Sequence, residues 1–260
     1  MAIMRNSRIP DAWLQEAMRT NPFRRIVDKA TGQPLGSLTT CPCRLSYPSI
    51  FQPEENRLNP GGKGKYKATL LFPPNADLTL LQQEYQAAVQ RLFPGVPRNS
   101  DGSYAGLWSP FKDQGAKSSA DGYNPGAWAI TVSTAFKPHV VDPSLNIVTD
   151  ETRVYPGVWA IVAINTYKYG VSPPQPKKGV GFGMQTVMLI ADDERLGGGG
   201  GLEPSKAFAG IQVQSNFSAA EAFSTMPAAG AGGFAIPQGG RPTGGQQFRP
   251  VEDDDVESLR

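Results

Sequence analysis

In the stretch GGKGKYKATLLF, residues 61–72, lysines recur at every second position. An extended strand alternates its side chains between two faces, so Lys65, Lys67 and Thr69 share one face while Tyr66, Ala68, Leu70 and Phe72 share the other. With Lys63 on the glycine-rich approach, three ammonium groups lie along about 13 Å, comparable with two or three phosphate spacings of an extended polynucleotide. The pattern suits the holding of a repeating polyanion. A lysine-rich strand edge that resists aggregation is the plainer alternative.

A second stretch adds rings. In GVWAIVAINTYKY, residues 157–169, Val158, Ala160, Val162, Ile164 and Thr166 make an apolar face. Trp159, Ile161, Ala163, Asn165, Tyr167 and Tyr169 make an aromatic face that turns polar toward its end. Tyr167 and Tyr169, with Asn165 and beside Lys168, form a platform on which bases can stack, each stack contributing about 1–3 kcal/mol. Trp159 reads equally well as core. In AWAITVSTAFK, residues 127–137, Ala129, Thr131, Ser133 and Ala135 give a floor of small side chains ending at Lys137, opposite the apolar Trp128, Ile130, Val132, Thr134 and Phe136.

Signals for catalysis are sparse. His139 is the single histidine, and neither a G-x-x-x-x-G-K-[ST] phosphate loop nor H-E-x-x-H occurs. Gly179, Gly181 and Gly183 are spaced G-x-G-x-G, which misses the dinucleotide fingerprint and suits barrel curvature or close approach of a ligand backbone. Cys41 and Cys43 are too close for a relaxed disulfide and too few for a zinc site with one histidine, so they read as structural thiols. Asp142, Asp150 and Glu151, and Asp192, Asp193 and Glu194, leave a metal-dependent nuclease as a minor alternative. No cofactor or resident metal is expected.

The elements that must position these residues follow from periodicity. CRLSYPSIF, KYKATLLF, AWAITVSTAF, GVWAIVAINTYKY and VGFGMQTVMLI are β-branched or aromatic runs separated by Pro, Gly and Asn clusters, and they predict five strands. DLTLLQQEYQAAVQRLF predicts a helix capped by Asp77 and stopped by Pro94-Gly95. Five strands and one helix over residues 41–200 predict a mainly β, small barrel.

Residues 1–40 read as a basic extension, irregular except for a short helix opened by Pro10, with Trp13, Leu14, Ala17 and Met18 on one face for docking or self-association. Residues 197–245 hold 13 of the 29 glycines, too little apolar area to offset ordering entropy, so 201–260 reads as a flexible tether. Its tip, residues 251–260, sets Glu252, Asp253, Asp254, Asp255 and Glu257 against Arg260, a net of −4. The chain as a whole carries +2, which leaves +6 on residues 1–250. A basic body with an acidic end suggests a tail that imitates the polyanion the body holds. No apolar leader or membrane-length stretch is visible, which points to a reducing, aqueous compartment.

The order RLSYPSIF, KYKATLLFP, a helix, Lys137-Pro138 followed by VVD, YPGVWAIVAINTYKY and GVGFGMQTVMLIADDERLGG resembles a family of phage-encoded single-stranded-DNA-binding proteins, over residues 43–200. The resemblance implies an OB-fold, so the expectation is a five-stranded OB-fold-like barrel with one helix; composition adds a flexible N-terminal arm, which lies outside the family pattern, and a disordered glycine-rich C-terminal tail. It implies sequence-nonspecific binding of single-stranded DNA in phage replication or recombination, within the host cytoplasm and without catalysis. The expected DNA-binding set is Lys63, Lys65, Lys67, Lys137, Trp159, Asn165, Tyr167, Lys168, Tyr169 and Gln185. The acidic residues of the tip would compete with DNA or recruit replication and recombination proteins. Related tails end in an aromatic residue, whereas this one ends Ser258-Leu259-Arg260, with Phe248 well upstream. A structural or assembly protein of a virion is the rival from another class.

Overall fold

A computed structural model describes residues 4–55, 63–170 and 178–197. Among them lie α1 (Asp11–Thr20), β1 (Arg24–Val27), β2 (Pro34–Thr39), β3 (Cys43–Glu54), β4 (Lys65–Leu71), α2 (Thr79–Leu92), β5 (Phe111–Asp113), β6 (Trp128–Thr134), β7 (His139–Val141), β8 (Trp159–Tyr169) and β9 (Gly179–Ala191). The chain divides into Met1–Ala207 and Phe208–Arg260. The second unit, with most of the expected tether and the whole acidic tip, lies outside the described residues.

The five runs predicted as strands are β3, β4, β6, β8 and β9, and they close on themselves. β3 pairs with β4, β4 with β6, β6 with β9, β9 with β8, and β8 returns to β3. Only the β6–β9 contact in this ring is parallel, through Val132↔Phe182 and Ser133↔Gly183. A mainly β, five-stranded barrel of OB-fold type results. Alternation puts Leu45, Leu70, Phe72, Ile130, Val132, Val162, Ile164 and Phe182 inside one core. α2 adds Leu81, Tyr85, Ala88 and Val89 to it. Asp77, expected as the cap, lies one residue before it: Leu78 is the N-cap and carries no side-chain cap bond, while the Asp77 carboxylate accepts the Thr79 N–H (2.9 Å). After the helix, Gly95 takes a positive φ of 82°.

The N-terminal region corrects two expectations. Residues 24–39, read as irregular, form the antiparallel β1–β2 hairpin, and β2 joins the sheet on β8 through Ser37↔Asn165, Leu38↔Ile164 and Thr39↔Ala163. The arm expected to be flexible is docked instead. Met4 and the α1 residue Leu14 are fully buried in a cluster with Trp159. The cause is a polar clamp beside that apolar contact. Arg44 Nη2 lies 3.3 Å from Asp193 Oδ2, with both side chains buried. Asp193 accepts hydrogen bonds from Ser7 Oγ (2.6 Å), the Arg8 N–H (2.7 Å) and the Trp159 Nε1–H (2.8 Å). Burial alone would raise the Asp193 carboxyl, but these donors and the Glu194 N–H outweigh it and hold its pKa below the usual range. Arg44 donates in turn to the Arg5 and Glu194 carbonyls, at 3.1 and 2.7 Å, which fixes the arm to the barrel.

Cys41 and Cys43 are free and buried. Burial pushes the Cys43 thiol up to about 12, which suits a packing role.

Candidate nucleic-acid interface

The last turns of β8 and the first of β9 build a surface from rings and glycines. Their ladder sets Asn165 opposite Gly183, Tyr167 opposite Gly181 and Tyr169 opposite Gly179. Each β8 side chain leans over the glycine across from it. A Cβ at Gly181 would stand 3.0 Å from Tyr167 Cζ, one at Gly179 3.0 Å from the Tyr169 hydroxyl, and one at Gly183 2.2 Å from Asn165 Oδ1. The glycines therefore accommodate the protein's own side chains, which differs from the expected use for curvature or for a ligand backbone.

Neighbouring elements fix the rings. The hydroxyls of Tyr167 and of Ser133 on β6 share a hydrogen bond of 3.1 Å. Tyr169 packs edge-on to Trp108, with centroids 5.9 Å apart and planes at 85°, and lies 6.4 Å from the Tyr167 ring. The Tyr169 hydroxyl is buried with no hydrogen-bond partner among the described residues, and burial pushes its pKa up to about 12. It stays protonated through the physiological range.

Cations join the rings across β6 and β4. The Lys112 ammonium lies 5.7 Å from the Trp108 ring centroid and donates to Thr131 Oγ1 at 3.0 Å. Thr131 is itself 3.3 Å from Thr69 on β4. The pKa of Lys112 is lowered, first by burial and then by the charges of Lys117 and Lys67. The ammonium groups of Lys112 on β5, Lys117 just beyond it and Lys67 on β4 thus act in one field, beside the outer face of β4 and β6. These are the second and third strands of the barrel, whose face OB-folds commonly use for oligonucleotides. The result is one surface, ring-lined at β8 and β9, bearing hydroxyls on β6 and β4, and cationic along its side.

The expected residues distribute unevenly over this surface. Asn165, Tyr167 and Tyr169 stand together on it. Lys65 and Lys67 share the outer face of β4, with Lys67 ion-paired to Glu54, and Lys63 is exposed just before the strand. Trp159 is a correction: it lies on the same face of β8 as the tyrosines but is enclosed by Met4 and Leu14, and no ring face is left for a base. Lys168 is a second correction. Adjacent strand residues point to opposite faces, and its ammonium sits 4.8 Å over Phe93 beyond the end of α2. Lys137 is exposed, 5.5 Å over Phe51, and Gln185 is exposed where the β9 register skips from Met184 to Thr186. Among the contacts of the described residues, none ties either to the tyrosines. Sequence reasoning missed Trp108 and Lys112, which lie in LWSPFKD, Trp108 just before β5 and Lys112 within it; an aromatic and a lysine close together were the available signal.

The carboxylates considered for metal binding have other work. Asp142 accepts the Ser144 and Asn146 N–H groups at 2.8 and 2.9 Å, Asp150 accepts that of Thr152 at 2.9 Å, and Asp193 holds the arm. Among the described residues no three potential ligands converge on a metal-sized position.

The closed barrel and its ring-lined, cationic face define an OB-fold protein with a surface of nucleic-acid-binding type. The family model described as "Enterobacter phage Enc34, ssDNA-binding protein" matches residues 37–218, and the chain belongs to that family. Among solved structures, the C-terminally truncated single-stranded DNA-binding protein of bacteriophage Enc34 is similar at a TM-score of 0.50 and 19% identity, covering 62% of this chain and 88% of that one. The same phage protein in complex with ssDNA matches at 0.50 and 19%, covering 62% and 89%. At this identity the likeness establishes the fold. No curated protein matches the chain.

Proposed function

We propose that this protein binds single-stranded DNA along this surface, which serves as its trough, without marked sequence preference, as an accessory of phage replication or recombination. The observation that carries the reading is the convergence of Tyr167, Tyr169 and Trp108 with Lys112 and Lys67 on one outer face of the barrel. Every base has a π-face, so stacking tolerates any sequence, while ammonium groups track the phosphates. The solved complex of the Enc34 relative with ssDNA supports the same ligand here. Residues 251–260 then act as an internal competitor: their carboxylates mimic phosphates at high local concentration but offer no bases to stack.

The test is a titration with oligo-dT across a salt series, followed by tryptophan fluorescence. With about four phosphates contacted, the log–log salt slope is near −3. Absence of quenching, or an affinity indifferent to salt, defeats the reading. Deleting residues 251–260 tightens binding, most strongly at low salt; an unchanged affinity leaves the tail with recruitment alone.

A further inference from the structure

β3 borders β4 on the side away from β6, and it carries a ring that folding does not explain. Tyr47 is 61% exposed, and its backbone sits at a φ of 48°. Bulky residues avoid this left-handed conformation, and Pro48 disfavours it further by restricting the residue before it. Tyr47 falls where the β3–β4 register skips between Ser46 and Ser49, an irregularity of the kind that re-aims a side chain. The Lys117 ammonium lies 5.3 Å from its ring centroid and 5.8 Å from that of Tyr123. Tyr123 is buried, and its hydroxyl shares a 3.1 Å hydrogen bond with Ser46 Oγ. Lys117 is thereby held against a fixed ring and presented beside a free one.

We infer that Tyr47 is a second base-stacking station, with Lys117 taking the phosphate beside the stacked base. The inference rests on the trough being the single-strand groove. The Tyr167 and Tyr169 rings, carried by β8, lie over the glycines of β9, and from β9 through β6 and β4 to β3 is three strand steps, about 14 Å. That separation spans two or three nucleotides of an extended chain. The DNA then crosses the barrel strands from the Tyr167 and Tyr169 bank to the Tyr47 bank, instead of running along β4. Between the stations it passes Ser133, Thr131, Thr69 and Lys67, which lie on the intervening strands.

The test uses the full chain with Tyr47→Gly and Tyr47→Phe, titrated with dT oligomers of graded length. Glycine removes the ring and also relieves the backbone, so the thermal midpoint holds or rises. Tyr47→Gly is expected to weaken binding of long oligomers about tenfold, while oligomers too short to reach both stations bind as to the unaltered protein. Tyr47→Phe retains the ring and binds like the unaltered protein. Equal affinities for the unaltered chain and Tyr47→Gly at every length overturn the second station, and an equal loss in Tyr47→Phe and Tyr47→Gly overturns stacking as its basis. Failure of the unaltered chain to bind any dT oligomer is a different result: it defeats the groove itself.

Discussion

Strand β8 carries Trp159 at its start and Tyr167 and Tyr169 at its end, all on one outer face, and the two ends have opposite surroundings. At the start, Met4 and Leu14 cover the indole and Asp193 accepts its N–H. At the end, the rings lie over glycines, and one of them leans on Trp108. Strand periodicity assigns a side chain to a face; what covers that face is decided by segments far away in the chain. For Trp159 the cover comes from the N-terminal arm, which periodicity within β8 does not report.

Substitutions at the two ends test the contrast directly. Trp159→Ala has the largest effect, a loss of about 3–5 kcal/mol in denaturant unfolding, because it empties a closed cluster. The molecules that remain folded bind oligo-dT as before; a stable variant with lost binding would reverse the assignment. Tyr167→Ala gives the complementary result, a loss of about 1–3 kcal/mol in binding measured by the same dT titration. Tyr167→Phe keeps the ring, so it retains affinity and loses only about 1 kcal/mol of stability with the Ser133 hydrogen bond.

Gly181→Ala sharpens the comparison further. The new Cβ would stand 3.0 Å from Tyr167 Cζ, so the ring must shift, and binding weakens by less than in Tyr167→Ala. An unaltered affinity would show that the glycine is not needed for the ring's binding pose. The smallest effect is at Lys112, where Lys112→Gln flattens the log–log salt slope by about 0.7. Burial, then Lys117 and Lys67, depress the Lys112 pKa, so its charge drains at lower pH than that of an ordinary lysine as pH rises. Binding measured from neutral to alkaline pH therefore declines early in the unaltered protein, and Lys112→Gln removes that early step.

Much of the barrel was legible because its strands are long, β-branched and alternating. KYKATLLF sent Ala68, Leu70 and Phe72 inward and Lys65, Lys67 and Thr69 outward, as its period required. The β1–β2 hairpin was not legible, since Arg24, Arg25, Gly32 and Gly36 give little strand signal and the pairing that secures it is with distant β8. Lys168 was misplaced by grouping sequence neighbours where a strand separates them. Trp108 and Lys112 were overlooked because the three-residue β5 and the irregular connection before it are too short to show a period from which to infer direction. Their roles depend on where β5, paired with β6, delivers them.

The glycine bed beneath Tyr167 and Tyr169 bears on the entropy of association. Side chains that lie against backbone lose rotational freedom when the protein folds, so little remains to be lost when a ligand arrives. Under the proposed function, a surface preorganised in this way would release and recapture successive bases without rearranging itself.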